Sequence, residues 1–201
     1  MIALIKKMAS VCFGKLMSWS ARRYLVTLAT EQKDFDDIAA FNYRIFSKEI
    51  QQHPENPGER LIDSYHKANS YIICRFKGEI IGMVCVTNPT IQGFSVAKKL
   101  ADPSIMDAYL DNSLELRLLA IEKKHRGTRV FWKLMQTLVE YILKTNVQQV
   151  FISAISEREG MYRKFGFEPI APAVKSGNAH FIPMKLTRAR FLSMKTSLGF
   201  A

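Results

Sequence analysis

The chain has 201 residues, 48% of them hydrophobic and 23% charged, a balance that excludes a disordered or fibrous polypeptide and lets a single core form without disulfide or metal staples. Its three cysteines, Cys12, Cys74 and Cys85, are an odd set without CxxC spacing, which argues against a secreted disulfide framework or a Cys-based zinc site and for a reducing cytoplasm. Lysine and arginine outnumber the acids 29 to 18, a formal charge of +11 that favours an anionic partner.

The charge is unevenly placed. Residues 1–30 carry Lys6, Lys7, Lys15, Arg22 and Arg23 and no acid. Lys6 and Lys7 cut the leading apolar run after five residues, too short for a bilayer span, and they fall where the apolar centre of a secretory signal would lie. Two arrangements fit residues 1–23. One is a basic amphipathic helix presenting Ile5, Met8, Cys12 and Leu16 to a membrane surface or partner; the other is a leader or extra helix beside the domain. No repeat or low-complexity tract divides the remainder, so one domain is expected over residues 24–191, with a tail over 192–201.

Tyr24 to Leu28 predicts a short strand, and Asp34 can cap a helix running to Gln51 with Ile38, Phe41, Ile45 and Phe46 on one face. His53, Pro54, Pro57 and Gly58 stop it, and a short helical segment is expected from Arg60 to Lys67. Tyr71 to Phe76 and Ile80 to Thr87 read as an antiparallel hairpin turning at Lys77-Gly78-Glu79, with Cys74 and Cys85 as core fillers. The stretch from Asn88 to Asn112 is irregular, with a short helix at Ser95 to Leu100. The second half is regular: a strand from Leu114 to Ile121, a helix from Gly127 to Lys144 striped by Phe131, Leu134, Met135, Leu138 and Ile142, and a strand from Val147 to Ser153. A helix from Glu157 to Phe165 ends at Gly166, and a strand from Phe181 to Leu186, interrupted by Pro183, follows. This alternation implies parallel neighbours whereas the hairpin is antiparallel. The fold class is therefore α/β (α+β), a mixed central sheet flanked by helices on both faces.

Two segments carry chemistry. In Leu114-Glu115-Leu116-Arg117-Leu118-Leu119-Ala120-Ile121, period-two geometry groups Glu115, Arg117, Leu119 and Ile121 on one face and the other four residues on the opposite one. Both faces are largely apolar, as in a central strand covered on both sides, where a glutamate and an arginine cost free energy unless they are paired or face a cleft. The strand then passes through Glu122-Lys123-Lys124-His125 into Arg126-Gly127-Thr128 and a helix start. Unpaired backbone N–H groups there, beside Arg126, suit a phosphate or pyrophosphate; a solvated basic loop is the alternative.

LELRLLAIEKKHRG and FISAISEREGMYRKFGFEPI, which span Leu114 to Ile170, resemble the acyl-CoA-binding core of GCN5-related N-acetyltransferases (GNAT), and Tyr162 to Phe167 resembles the family's Tyr-x-x-x-Gly-Phe element. Upstream, FNYRIFSKEIQQHPENPGERLIDSYHKANSYIICRFKGEIIGM is similar to the front half of the long-chain branch, which includes acyl-homoserine-lactone synthases and N-acyl amino acid synthases. It is also similar to acyltransferase domains that bacteria fuse to a class V, pyridoxal-phosphate-dependent aminotransferase. The resemblance covers Tyr24 to Phe191. It implies a GNAT fold with splayed strands 4 and 5, and an acyl donor that is acyl-CoA, acetyl-CoA or the acyl-phosphopantetheine of an acyl carrier protein.

It also implies roles. Backbone N–H groups of Leu119, Ala120 and Ile121 would face the pantetheine and the thioester carbonyl, with Ser153 across from them. Arg126, Gly127, Thr128 and Arg129 would meet the pyrophosphate, and Tyr162 would stand near the sulfur as general acid. Glu115 is the expected general base, and Arg117 either holds it ionised or binds an acidic substrate group. Tyr43, Arg44, Phe46 and Glu49, on the first helix, would contact the acceptor or the acyl chain; Phe46 as core and Arg44 with Glu49 as a solvated pair are the alternatives. The family's pyrophosphate turn, Arg-Gly-x-Gly-x-Gly/Ala, is kept here only at Arg126 and Gly127, because Arg129 and Phe131 replace small residues.

The sequence thus predicts a cytoplasmic N-acyltransferase acting on a small-molecule amine such as an amino acid, with an acyl carrier protein, an aminotransferase and a membrane surface as partners its features allow. A nonenzymatic acyl- or CoA-binding module regulating an enzyme such as an aminotransferase is the alternative. No metal is expected, because His53, His66, His125 and His180 lack a ligand spacing, and no nucleic acid, because the charge comes without aromatic–basic strand motifs or a recognition helix.

Overall fold

The computed structural model describes residues 24–89, 93–176 and 179–198, so the basic leader expected over residues 1–23 lies outside the described residues. Strand β1 (Tyr24–Leu28) leads into helix α1 (Gln32–Asn42). Asp34 does not cap this helix. Glu31 stands at the cap, and the Asp34 carboxylate reaches back from the first turn to accept the Thr30 and Glu31 N–H groups at 3.0 and 3.3 Å. The helix widens into a π-helical run over Tyr43–Glu49, and Ile38, Phe41, Ile45 and Phe46 form its expected apolar face.

The helix expected from Arg60 to Lys67 does not form; a single 3-10 turn stands at His66–Ala68. Local bonds compete with a helical ladder here. The Leu61 N–H donates to the Ala39 carbonyl at 2.9 Å, and the Asp63 carboxylate accepts the Tyr65 N–H at 2.9 Å, bending the chain into an Asx turn. Strands β2 (Asn69–Phe76) and β3 (Glu79–Thr87) then pair through a two-residue turn. Lys77 and Gly78 both take positive φ there, 51° and 88°, the geometry that matches strand twist. The irregular stretch contains two 3-10 segments, Ser95–Lys99 and Pro103–Asn112.

The second half runs β4 (Ser113–Ile121), α2 (Val130–Leu143), β5 (Gln149–Ile155), α3 (Glu159–Lys164), β6 (Glu168–Pro169), β7 (Val174–Ser176), β8 (Ala179–Thr187) and α4 (Arg188–Leu198). Helix α2 begins later than expected because Gly127 takes a φ of 73°, outside the helical region. Helix α4 crosses the boundary expected between domain and tail. The eight strands lie in the order β1-β2-β3-β4-β5-β8-β6, with β7 on β8; β4 and β5 are the parallel pair and the other pairs are antiparallel.

Helices cover both faces. On one, α1 packs on Ile73, Met83 and Cys85. On the other, Val130, Leu134, Leu138 and Ile142 of α2 pack on Ile72, Val84 and Leu114. Each fully buried aliphatic side chain contributes roughly 2 kcal/mol through burial. The 3-10 segments form a third cluster, in which Phe94, Val96 and Met106 cover Phe151 of β5.

Candidate active site

Strand β4 does not alternate throughout. Arg117 opposes Cys85 and Ala120 opposes Met83, so Leu118 and Leu119 together face the single residue Val84, and Leu118 takes a φ of 52°. Such a β-bulge shifts the parity of the strand. Leu118 and Ala120 pack toward α1, whereas Leu114, Leu116, Leu119 and Ile121 pack toward α2. The uniform period-two reading, which grouped Leu119 and Ile121 with Glu115, is corrected from residue 118 onward.

On its other edge β4 pairs with β5 for four residues, ending at Leu116 opposite Ile152, although the strands run on to Ile121 and Ile155. Strands 4 and 5 therefore splay. The backbone of Leu119, Ala120 and Ile121 borders the gap, and Ser153 is the first residue of β5 beyond the last pair. The Ser153 hydroxyl is buried without a hydrogen-bond partner. An unanswered buried hydroxyl costs about 1–3 kcal/mol, and it suits the amide groups of a pantetheine arm threaded between the strands.

Glu115 stands just before the splay and is fully buried. It accepts the Ser95 N–H at 2.7 Å and the Ser95 hydroxyl at 2.6 Å, so the 3-10 segment closes over it. Burial pushes its carboxyl above the ordinary range, offset in part by the Ser95 donors and the Arg117 charge. Arg117 itself pairs with Asp63, donating to both carboxylate oxygens at 2.8 and 2.9 Å, with its guanidinium 4.5 Å from the centre of the Tyr65 ring. Burial alone would raise Asp63; the Arg117 fork, Asn69 and the Tyr65 N–H outweigh it and hold the carboxyl below its usual value. Asp63 also lines a cleft with Phe35, Asn42, His66 and Tyr71, in which the Asn42 Oδ1 atom is buried without a donor.

Tyr162, on α3, packs into the α2-side core with its ring edge-on to Phe167, 6.1 Å between centres. The Phe167 N–H donates to the Tyr162 carbonyl at 3.1 Å and the Gly166 N–H to the Arg163 carbonyl at 2.9 Å, with Gly166 at a φ of 85°. That helix stop is what the Tyr-x-x-x-Gly-Phe spacing encodes. Burial pushes the phenol pKa up, partly offset by Arg158, so the hydroxyl keeps its proton at neutral pH.

At the turn into α2, Arg126 is held by Glu49 and by the Ile121 carbonyl. The Thr128 hydroxyl donates to the His125 carbonyl at 2.6 Å and accepts the Val130 N–H at 3.4 Å, Gly127 makes the left-handed turn, and Arg129 stands at the helix cap. On the first helix, Phe46 is core, and Tyr43 is buried with its hydroxyl 3.4 Å from Glu55. Arg44 bonds to Glu122 at 3.1 Å and to the Ile80 carbonyl at 3.2 Å rather than pairing with Glu49. Ser95, Asp63 and Tyr65 were not singled out from the sequence. Ser95 lies in a stretch without periodicity, and Asp63 and Tyr65 in one read as helical.

A sequence model of the acetyltransferase (GNAT) domain matches residues 31–188. No curated protein sequence matches the chain. Among solved structures, FeeM, an N-acyl amino acid synthase from uncultured soil microbes, superposes with a TM-score of 0.69 at 15% identity over 89% of this chain and 98% of that one. BjaI, a CoA-dependent acyl-homoserine lactone synthase, gives 0.68 at 14% identity over 88% and 90%. The acyl-homoserine lactone synthase LasI gives 0.65 at 16% identity over 82% and 89%. At these identities the likeness is one of fold.

Proposed function

The chain belongs to the GNAT family of acyltransferases, and from that premise we propose that it takes an acyl group from a pantetheine thioester and leaves it as the amide of a small-molecule amine such as an amino acid. The observation that supports this reading is the parting of β4 and β5 beyond Leu116 and Ile152, with Glu115 on β4 one residue before the last pair and Tyr162 on α3, the helix that follows β5.

The residues present suit the donor. Ser153 and the free edge of β4 would hold the pantetheine arm, with Leu119 to Ile121 offering backbone N–H groups to the thioester carbonyl. The amine attacks the carbonyl carbon, forming the C–N bond. Its surplus proton passes to the Ser95 oxygen as the Ser95 proton passes to Glu115, along the 2.6 Å bond between them. As the tetrahedral oxyanion collapses, the C–S bond breaks and the sulfur takes the Tyr162 proton, so that amine and thioester yield amide and thiol. The cleft beside Asp63 and Asn42 gives the acceptor a polar wall. The cysteine usage supports a cytoplasmic location, and the basic residues of the first 30 positions support contact with an anionic membrane or partner.

The test is mass spectrometry of products after incubation with acyl-CoAs, acylated carrier protein and pooled amino acids. The expected product is one amine gaining one acyl mass, formed more slowly by Glu115→Gln and Tyr162→Phe. Unchanged rates in both variants would remove the assigned roles. Ligand binding without thiol release across the amine panel would instead identify a binding module.

A further inference from the structure

The cleft over Tyr71, between α1 and residues 60–66, is walled by aromatic rings and hydrogen-bond acceptors. Phe35 stands edge-on to His66, with ring centres 5.3 Å apart, and its centre is 6.4 Å from that of Tyr71. Asn42, 2% exposed, lines the same cleft, and its amide has one orientation that works. Its Nδ2 group donates to the Leu61 carbonyl at 3.4 Å, so turning the amide over would set Oδ1 against that carbonyl oxygen. The unpartnered atom is therefore Oδ1, a pure acceptor.

The donors around it are spent. Gln32 and Arg60 both give N–H groups to the Asp36 carboxylate, and Arg117 is forked onto Asp63. Asp63 Oδ1 accepts from Arg117, Asn69 and the Tyr65 N–H, which leaves Oδ2 as its less occupied oxygen. A carboxylate entering the cleft would meet acceptors that repel it and donors already engaged. An ammonium group would meet the Asn42 and Asp63 oxygens and an aromatic wall, each of which attracts it.

The register places this cleft relative to the proposed base. Tyr71 on β2 lies opposite Cys85 on β3 and Cys85 opposite Arg117 on β4; in the neighbouring row Asn69 lies opposite Thr87 and Thr87 opposite Glu115. The cleft floor is thus two strands away from the strand of Glu115, roughly 10 Å at the usual strand spacing. Glu115 stands outside the cleft, so a group bound there is the far end of the acceptor and not the nitrogen being acylated.

We propose that the cleft formed by Asn42, Asp63 and the Phe35, His66 and Tyr71 rings receives a cationic far end of the acceptor, which makes the acceptor an extended diamine or a similar amine with a second positive group. The proposal deepens the transferase reading and rests on it. It adds no step to the transfer; it selects the molecule that undergoes it.

The experiment compares three amines of equal length whose far ends are cationic, neutral and anionic: octane-1,8-diamine, octylamine and 8-aminooctanoate. Calorimetric binding and kcat/KM for acylation are measured for each on the full chain and on Asn42→Asp, Asn42→Leu and Phe35→Leu. The unsubstituted protein is expected to rank them in that order. Asn42→Asp should raise the ratio of diamine to octylamine by about tenfold and Asn42→Leu lower it by about as much, while Phe35→Leu lowers it about threefold. A preference for 8-aminooctanoate, or a ratio unmoved in all three variants, would overturn the proposal. Acylation of all three amines without discrimination would remove the cleft's role and keep the transferase reading. Diamine-selective binding without acylation of any amine would keep the cleft's selectivity and remove the transferase reading.

Discussion

Arg117 is committed to Asp63, 54 residues away in the chain, and not to Glu115, two residues before it on the same strand. The two charged groups of β4 therefore find separate hydrogen-bond partners, Arg117 in a forked carboxylate and Glu115 in the hydroxyl and N–H of Ser95. That separation leaves Glu115 free of a direct cationic partner and able to exchange a proton.

Asp63→Asn should destabilise the protein by about 3 kcal/mol, because it strands a largely buried guanidinium, while Asp63→Asn with Arg117→Met should cost less than the sum of the two single changes. Urea unfolding of the four proteins of the cycle measures both. Since the folded-state pKa of Asp63 is depressed, its contribution is present above the unfolded value near 3.8 and is lost as pH falls through the folded value.

Glu115 has the opposite sign. Its folded pKa lies above 4.5, so between the ordinary and the raised value the folded chain binds more protons than the unfolded one, and this group's contribution to stability falls as pH rises. Catalysis needs the ionised base, so kcat/KM should rise over the same window and the limb should vanish in Glu115→Gln. Ser95→Ala removes both the relay hydroxyl and a donor that holds the value down, so it should lower kcat/KM and move the limb to higher pH. A pH–rate profile of the three proteins settles the order.

Tyr162→Phe should lower kcat about a hundredfold with an alkyl thioester and less than about threefold with an aryl thioester, whose leaving thiolate needs no proton. Equal losses on both would mean the phenol serves packing against Phe167.

Ser153→Ala should raise stability by about 1 kcal/mol by removing an unanswered buried hydroxyl, and should raise KM for the donor. Chemical unfolding and donor titration together test whether the hydroxyl is kept for a guest.

Much of this architecture is legible in the residues. Glycine after a basic residue at Lys77-Gly78 makes the hairpin, the apolar stripe from Leu134 to Ile142 buries α2, and Gly166 stops α3. The bulge at Leu118 is not legible, because a run as leucine-rich as LELRLLAI looks alike on either parity and no glycine or proline marks the irregular residue. The partners of Glu115 and Arg117 are equally hidden. Ser95 and Asp63 reach them through tertiary packing of stretches that carry no period, and a strand's own pattern says that its charges need partners without saying where they come from.

Among the described residues, four residue pairs between β4 and β5 join β1–β4 within the sheet to the group formed by β5, β8, β6 and β7. The sheet is in effect two antiparallel wings meeting along a short seam, and a thioester lodged in the unstitched part would touch both wings at once. Occupancy should then act like a rivet: amide exchange at Arg117–Ile121 and Ser153–Ile155 slows in step when the donor binds, while the outer strands hardly respond.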